Sequence, residues 1–166
     1  MSTKPRSNEP RGEMAVTRVR DIMTTDVVSV RADTSVGRIA GLMHDKAISA
    51  IPVVDEAQRV VGIVSDLDLI VRNTPIEAPA FLPVLEGRIP LETQGHFKRR
   101  IQHMVGTEAR DVMTEEVLTV SPDQDVESLA TLMVKKRVKL LPVVEEGRLI
   151  GVVSRADVIR WMVRDD

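Results

Sequence analysis

The 166-residue chain has no cysteine and no tyrosine, one tryptophan and two phenylalanines. Without cysteine it forms no disulfide and no thiolate metal site, which suits a reducing cytosol. So few aromatics leave little surface on which single-stranded nucleic acid could stack. An excess of one charge is also missing. A formal net charge of -2 and a pI near 6.0 give no global pull toward nucleic acid or an anionic membrane, so any anion site must be local. The N-terminus lacks an apolar signal-like region, and no run approaches the roughly 18 apolar residues that span a bilayer. A soluble, cytoplasmic protein is expected.

Catalytic equipment is missing as well. There is no nucleophile-base-orienter set and no Gly-x-x-x-x-Gly-Lys phosphate loop, and His44, His96 and His103 share no metal-ligand spacing. Neither catalysis nor a bound metal is expected. What is present is an ordinary globular composition, 43% hydrophobic and 29% charged, in a chain long enough for one domain or two half-size units.

Those units are repeats. Asp21-Ile-Met-Thr24 returns as Asp111-Val-Met-Thr114, and Val27–Val30 returns as Val117–Val120, both with the alternation of a half-buried strand. Val36, Ile39, Ala40 and Met43 match Val126, Leu129, Ala130 and Met133 at helical spacing, preceded by Ser35 and Asp125 as N-caps. A second strand, Ala50-Ile-Pro-Val-Val-Asp55, is echoed by Leu140-Leu-Pro-Val-Val-Glu145; its proline cannot donate to a ladder, which predicts an edge or a strand start. A third strand then runs into a helix at Gly62-Ile-Val-Ser65-Asp66-Leu-Asp68 and again at Gly151-Val-Val-Ser154-Arg155-Ala-Asp157.

Each repeat therefore reads β-α-β-β-α, over 18–73 and 108–166. Residues 1–17 have no periodicity and read as a disordered tail. The 74–107 insert carries four prolines in its first half, which excludes a continuous helix there. A short amphipathic helix through Phe97, Ile101 and Met104 is predicted in its second half, beside the basic cluster Lys98-Arg99-Arg100. Three basic residues supply little of the counterion release of strong DNA binding, so nucleic acid is not the expected partner.

Taken together, these paired motifs closely resemble a tandem pair of CBS domains, the Bateman module. The resemblance covers residues of about 18 to 73 and 108 to 164. It implies an α+β fold of two pseudo-symmetric repeats, disc-like homodimers, and adenine nucleotides (AMP, ADP or ATP) held in clefts between the repeats. S-adenosyl ligands and divalent cations are further possibilities within that class. Many members are fused to enzymes, transporters or channels; no such domain is seen here, so a stand-alone sensor acting on a separate protein is expected.

Carried over by the resemblance, Asp68 and Asp157 take the ribose hydroxyls, and Ser65 and Ser154 lie near ribose or phosphate. Ser49, Ala50, Ile51 and Pro52, with their counterparts Lys139, Leu140, Leu141 and Pro142, form the strand whose backbone meets the adenine. Thr24 and Thr114 stand beside the base, and Met23 and Met113 are candidates for lining its pocket.

The junctions agree with this chemically. A helix N-terminus carries about half a positive charge and unpaired amides that suit phosphate, and one carboxylate can accept from two hydroxyls. Ser-x-x-Asp is equally a capping box, a role compatible with the other. The repeats differ where Asp66 follows Ser65 but Arg155 follows Ser154, and where Lys139 stands in place of Ser49. An Arg fork accepts phosphate and a carboxylate repels it. The second junction, with Arg155 and Lys139, is therefore expected to prefer phosphorylated ligands. The first, with Asp66, is expected to be empty or to take adenosine-like or metal-bridged ligands.

Overall fold

The computed structural model describes residues 16–72, 81–84, 87–90 and 107–164. The first repeat runs α1 (Val19–Ile22), α2 (Val36–Lys46), β1 (Ala50–Val54), β2 (Val60–Ser65) and α3 (Asp66–Arg72). Within the insert, β3 (Phe81–Val84) and β4 (Gly87–Pro90) pair antiparallel. The second repeat runs α4 (Ala109–Val112), α5 (Val126–Lys136), β5 (Leu140–Glu145), β6 (Arg148–Ser154) and α6 (Arg155–Arg164). The tail through residue 15 and the predicted helix with its basic cluster lie outside the described residues.

The long helices form where the apolar spacing predicts. Both α2 and α5 bury their i, i+3, i+7 stripe: Val36, Ile39 and Met43 in one, Val126, Leu129 and Met133 in the other. Ser35 accepts from the Arg38 amide at 3.3 Å and Asp125 from the Ser128 amide at 2.7 Å, each covering an orphan donor of the first turn. The Ser128 amide holds the Asp125 carboxyl below the ordinary carboxylate range. Both helices end on a left-handed residue, Ala47 (φ 53°) and Arg137 (φ 56°).

The first strand of each repeat departs from expectation. Val27–Val30 and Val117–Val120 make only single parallel bridges, Val30 with Val53 and Val120 with Val143. Proline is the physical reason. The Val30 amide donates to the Pro52 carbonyl (3.1 Å) and the Val54 amide to the Val30 carbonyl (2.9 Å). Extending that ladder toward Val28 would need an N–H on residue 52, and proline has none. Val120, Pro142 and Val144 repeat the arrangement. The motif's proline therefore leaves the chain unzipped upstream of the bridge. Substituting Pro52→Val supplies the donor, and a slowly exchanging amide at position 52 is the expected result in hydrogen exchange. A freely exchanging one would show that another feature holds the gap.

The two cores are exchanged between the repeats. Val19 of α1 is fully buried in the core of the second repeat with Val120, Leu129, Leu141 and Val153. Ala109 and Val112 of α4 are fully buried in the core of the first with Ile39, Ile51 and Val64. Backbone bonds fix the exchange: the Val19 amide donates to the Gln124 carbonyl (2.8 Å) and the Ala109 amide to the Thr34 carbonyl (2.8 Å). Neither repeat completes its core from its own residues.

Candidate functional site

The crossing segments continue into the site. After α1 the chain reaches Thr24, whose amide and carbonyl both pair with Val152 on β6 at 2.9 Å. After α4, Thr114 pairs with Ile63 on β2 (2.9 and 3.0 Å). Each threonine thus lies against the last strand of the other repeat.

This close approach explains the glycine that opens each junction. A Cβ on Gly62 would collide with Met113 Sδ, and one on Gly151 would lie 2.8 Å from Met23 Sδ and 3.1 Å from the Thr24 carbonyl. Met23 and Met113 thus cover glycines of the opposite repeat, and neither lines a cleft described below, contrary to the expectation for an adenine pocket.

At each junction, the serine and the acid form the capping box that the spacing predicts. Asp68 Oδ2 accepts from the Ser65 amide and hydroxyl, both at 2.7 Å, and Asp157 Oδ2 accepts from the Ser154 amide (2.8 Å) and hydroxyl (2.7 Å). Asp157 is buried, and its Oδ1 accepts from Arg160 at 3.1 Å. The first helical amides of the two junctions are alike and the second differ. Asp66 and Arg155 both donate to the preceding strand's entry, at the carbonyls of Ser49 (2.8 Å) and Lys139 (3.0 Å). Asp66 Oδ1 then accepts from the Leu67 amide at 2.8 Å. Arg155 has no carboxylate to do the same for Ala156; its Nε instead donates to the Val138 carbonyl at 3.0 Å.

Two clefts open at these junctions. The first, of about 420 Å³, brings Ser65, Asp66 and Asp68 of the first repeat to Thr114, Lys139, Leu140 and Leu141 of the second. The second, of about 430 Å³, brings Ser154, Arg155 and Asp157 to Thr24 and Pro52. Ser49, Ala50, Lys139 and Leu140 border both. These volumes are of the size that small-molecule sites use. Ile51 and Pro142 line neither cleft: Ile51 is sealed in the first core and Pro142 is buried in β5.

Sequence reasoning missed Glu116 and Asp26, which occupy matching places in the first and second clefts, and Arg137, which lines the first. The ninety-residue offset that aligned Thr24 with Thr114 would have found the acidic pair. Lys139 also departs from expectation. Its ammonium lies 3.4 Å from Asp66 Oδ2 in the first cleft. The first cleft therefore sets three carboxylates (Asp66, Asp68, Glu116) against Arg137 and Lys139. Among the described residues, no group of three or more potential ligands could hold a metal ion, and no helix is long and apolar enough to cross a membrane.

Comparison with known proteins matches the CBS domain family model to residues 19–72 and 109–164. An uncharacterized protein of Methanocaldococcus jannaschii is 34% identical over 155 residues, covering 87% of this chain and 90% of the relative. In two longer relatives the matched part is 32% and 61% of their length. Among solved structures, CBSX2 in complex with AMP superposes with a TM-score of 0.75 at 27% identity, covering 89% of this chain and 97% of the other. A CBS domain pair in complex with 5'-methylthioadenosine and S-adenosyl-L-methionine has a TM-score of 0.68 at 22% identity, covering 92% and 100%. At that identity the likeness establishes the fold.

Proposed function

Because the chain belongs to the CBS-domain family and carries the domain twice in tandem, we propose that it is a regulatory module that binds adenine nucleotides in its two clefts and passes the resulting change of shape to a partner protein. The observation that carries this reading is the construction of the clefts. Each joins the Ser-x-x-Asp junction of one repeat to the crossing threonine of the other, so a bound molecule touches both repeats. The AMP complex of CBSX2 supports the ligand class.

In this reading Asp68 and Asp157 accept the ribose hydroxyls through oxygen lone pairs left over from the capping box. Backbone at Ala50 and Leu140 meets the adenine, and Thr24 and Thr114 stand beside it. Phosphate goes to the second cleft, where Arg155 replaces the acid and the Ala156 amide has no carboxylate over it. The first cleft, where Asp66 covers the Leu67 amide, suits an adenosine-type ligand without phosphate. The role is non-catalytic: the serine hydroxyls are tied to their capping carboxylates and no imidazole lines either cleft.

Signalling requires that the ligand bind one arrangement of the repeats better than another, since equal affinity for both shifts nothing. Assembly as a homodimer belongs to the same proposal. Ile159, Met162 and Val163 on α6 are 58–71% exposed and offer apolar surface for that contact.

Calorimetry with AMP on the wild type and on Asp157→Asn tests the ligand assignment. An amide oxygen can still accept from the Ser154 amide, so the cap is largely kept while the charged acceptor for ribose is lost. A loss of about tenfold in the affinity of the tighter step is expected, the worth of one hydrogen bond to a charged group. Unchanged affinity in a folded variant would sink the ribose assignment.

A further inference from the structure

We infer that Lys139 couples the two clefts, so that phosphate bound in the second weakens the binding of anions in the first. The inference rests on the nucleotide-binding reading above and adds a regulation to it. Lys139 borders both clefts. Its backbone belongs to the second junction, where its carbonyl accepts from the Arg155 amide at 3.0 Å. Its side chain crosses to the first junction, where Nζ lies 3.4 Å from Asp66 Oδ2. The equivalent residue of the first repeat is Ser49, whose carbonyl accepts from the Asp66 amide in the same way but which carries no charge. One residue therefore borders both sites, with its carbonyl at the second junction and its ammonium at the first.

The pair is built to be exchanged. Lys139 and Asp66 side chains are 62% and 42% exposed, and an exposed ion pair contributes little net free energy. Lysine's four-carbon stem can turn its charge from one acceptor to another. A phosphate seated on Arg155 offers Nζ a stronger acceptor within the second cleft. Once Nζ swings away, Asp66 loses its partner, and the first cleft retains Asp66, Asp68 and Glu116 against Arg137. That field repels a second phosphate and leaves an uncharged nucleoside almost untouched. Linkage makes the effect reciprocal: an anion in the first cleft that holds Lys139 there lowers phosphate affinity in the second.

Two calorimetric tests follow. Asp66→Asn keeps an oxygen for the Leu67 amide but releases Lys139. The tighter AMP step is expected to strengthen by about three- to fivefold, the worth of an exposed ion pair, adenosine affinity is expected to stay the same, and adding Lys139→Met is expected to abolish the gain. Unchanged AMP affinity in Asp66→Asn, or an equal gain for adenosine, would overturn the coupling.

Ala156→Trp fills the second cleft without altering a charge, as a stoichiometry of one AMP per chain would verify. The first cleft is then expected to bind AMP about three- to fivefold more tightly than the weaker step of the wild type. Equal constants would overturn the coupling while leaving nucleotide binding intact. A wild type that binds neither AMP nor adenosine would overturn both.

Discussion

Val19→Asp is expected to cost about 3–5 kcal/mol of stability, the penalty of an unpaired charge sealed in a core, with the loss concentrated in the second repeat although residue 19 belongs to the first. Val19 is fully buried among Leu129, Leu141 and Val153, where a carboxylate finds neither water nor a cation. Total stabilities of this class are only about 5–15 kcal/mol, so the second core is expected to open well below the melting temperature of the wild type.

Trp161 reports on that core directly. It is the single tryptophan of the chain, packs on the second core, and buries its indole N–H without an acceptor among the described residues. Red-shifted emission and faster amide exchange in β5 and β6 than in β1 and β2 are the expected results. Val16→Asp, three residues upstream and 63% exposed, is the matched control and is expected to change neither. An unshifted melt for Val19→Asp, or loss of protection confined to β1 and β2, would overturn the exchanged-core account.

Gly151→Val is expected to destabilise the protein by about 1–3 kcal/mol, the range for overpacking a filled site. The clash partners are Met23 Sδ and the Thr24 carbonyl. The methionine can rotate away, but the carbonyl is fixed by its bond with the Val152 amide. Relieving the contact with Met23→Ala should therefore restore only part of the loss. Gly62→Val makes the informative contrast, because the three atoms nearest its Cβ all belong to the Met113 side chain. There the second substitution, Met113→Ala, should recover more of the stability lost to the valine. Thermal melts of the two single and two double variants decide this. Equal recovery in both pairs would show that the backbone contact at Gly151 is unimportant.

These expectations separate what was legible in the chain from what was not. Val36–Met43 and Val126–Met133 could be read because helical periodicity reports burial of a face, whatever buries it. Ser65 with Asp68, and Ser154 with Asp157, could be read as capping boxes because both partners lie within one turn. The strand expected at Val27–Val30 was misread. Its alternation is real, but its neighbour, Pro52, withholds the donor that would extend the pairing.

The destination of Lys139 could not be read either, since position 139 belongs to the second repeat, at the entry of β5, while its stem carries the charge across to Asp66 of the first. Arg137 was hidden similarly, as the end of a helix looks solvated until the opposite repeat is placed beside it.

The sequence by itself determined the two repeats, their α+β makeup, the capped helices, the Ser-x-x-Asp junctions and the family, because each depends on contacts within a few residues or on a motif occurring twice in order. Only the tertiary structure decided that α1 completes the second core and α4 the first, why Gly62 and Gly151 must lack side chains, and which residues share a cleft. Periodicity and capping describe a residue's own turn or strand; they carry no information about which distant surface fills the space that a missing Cβ or a missing N–H leaves open.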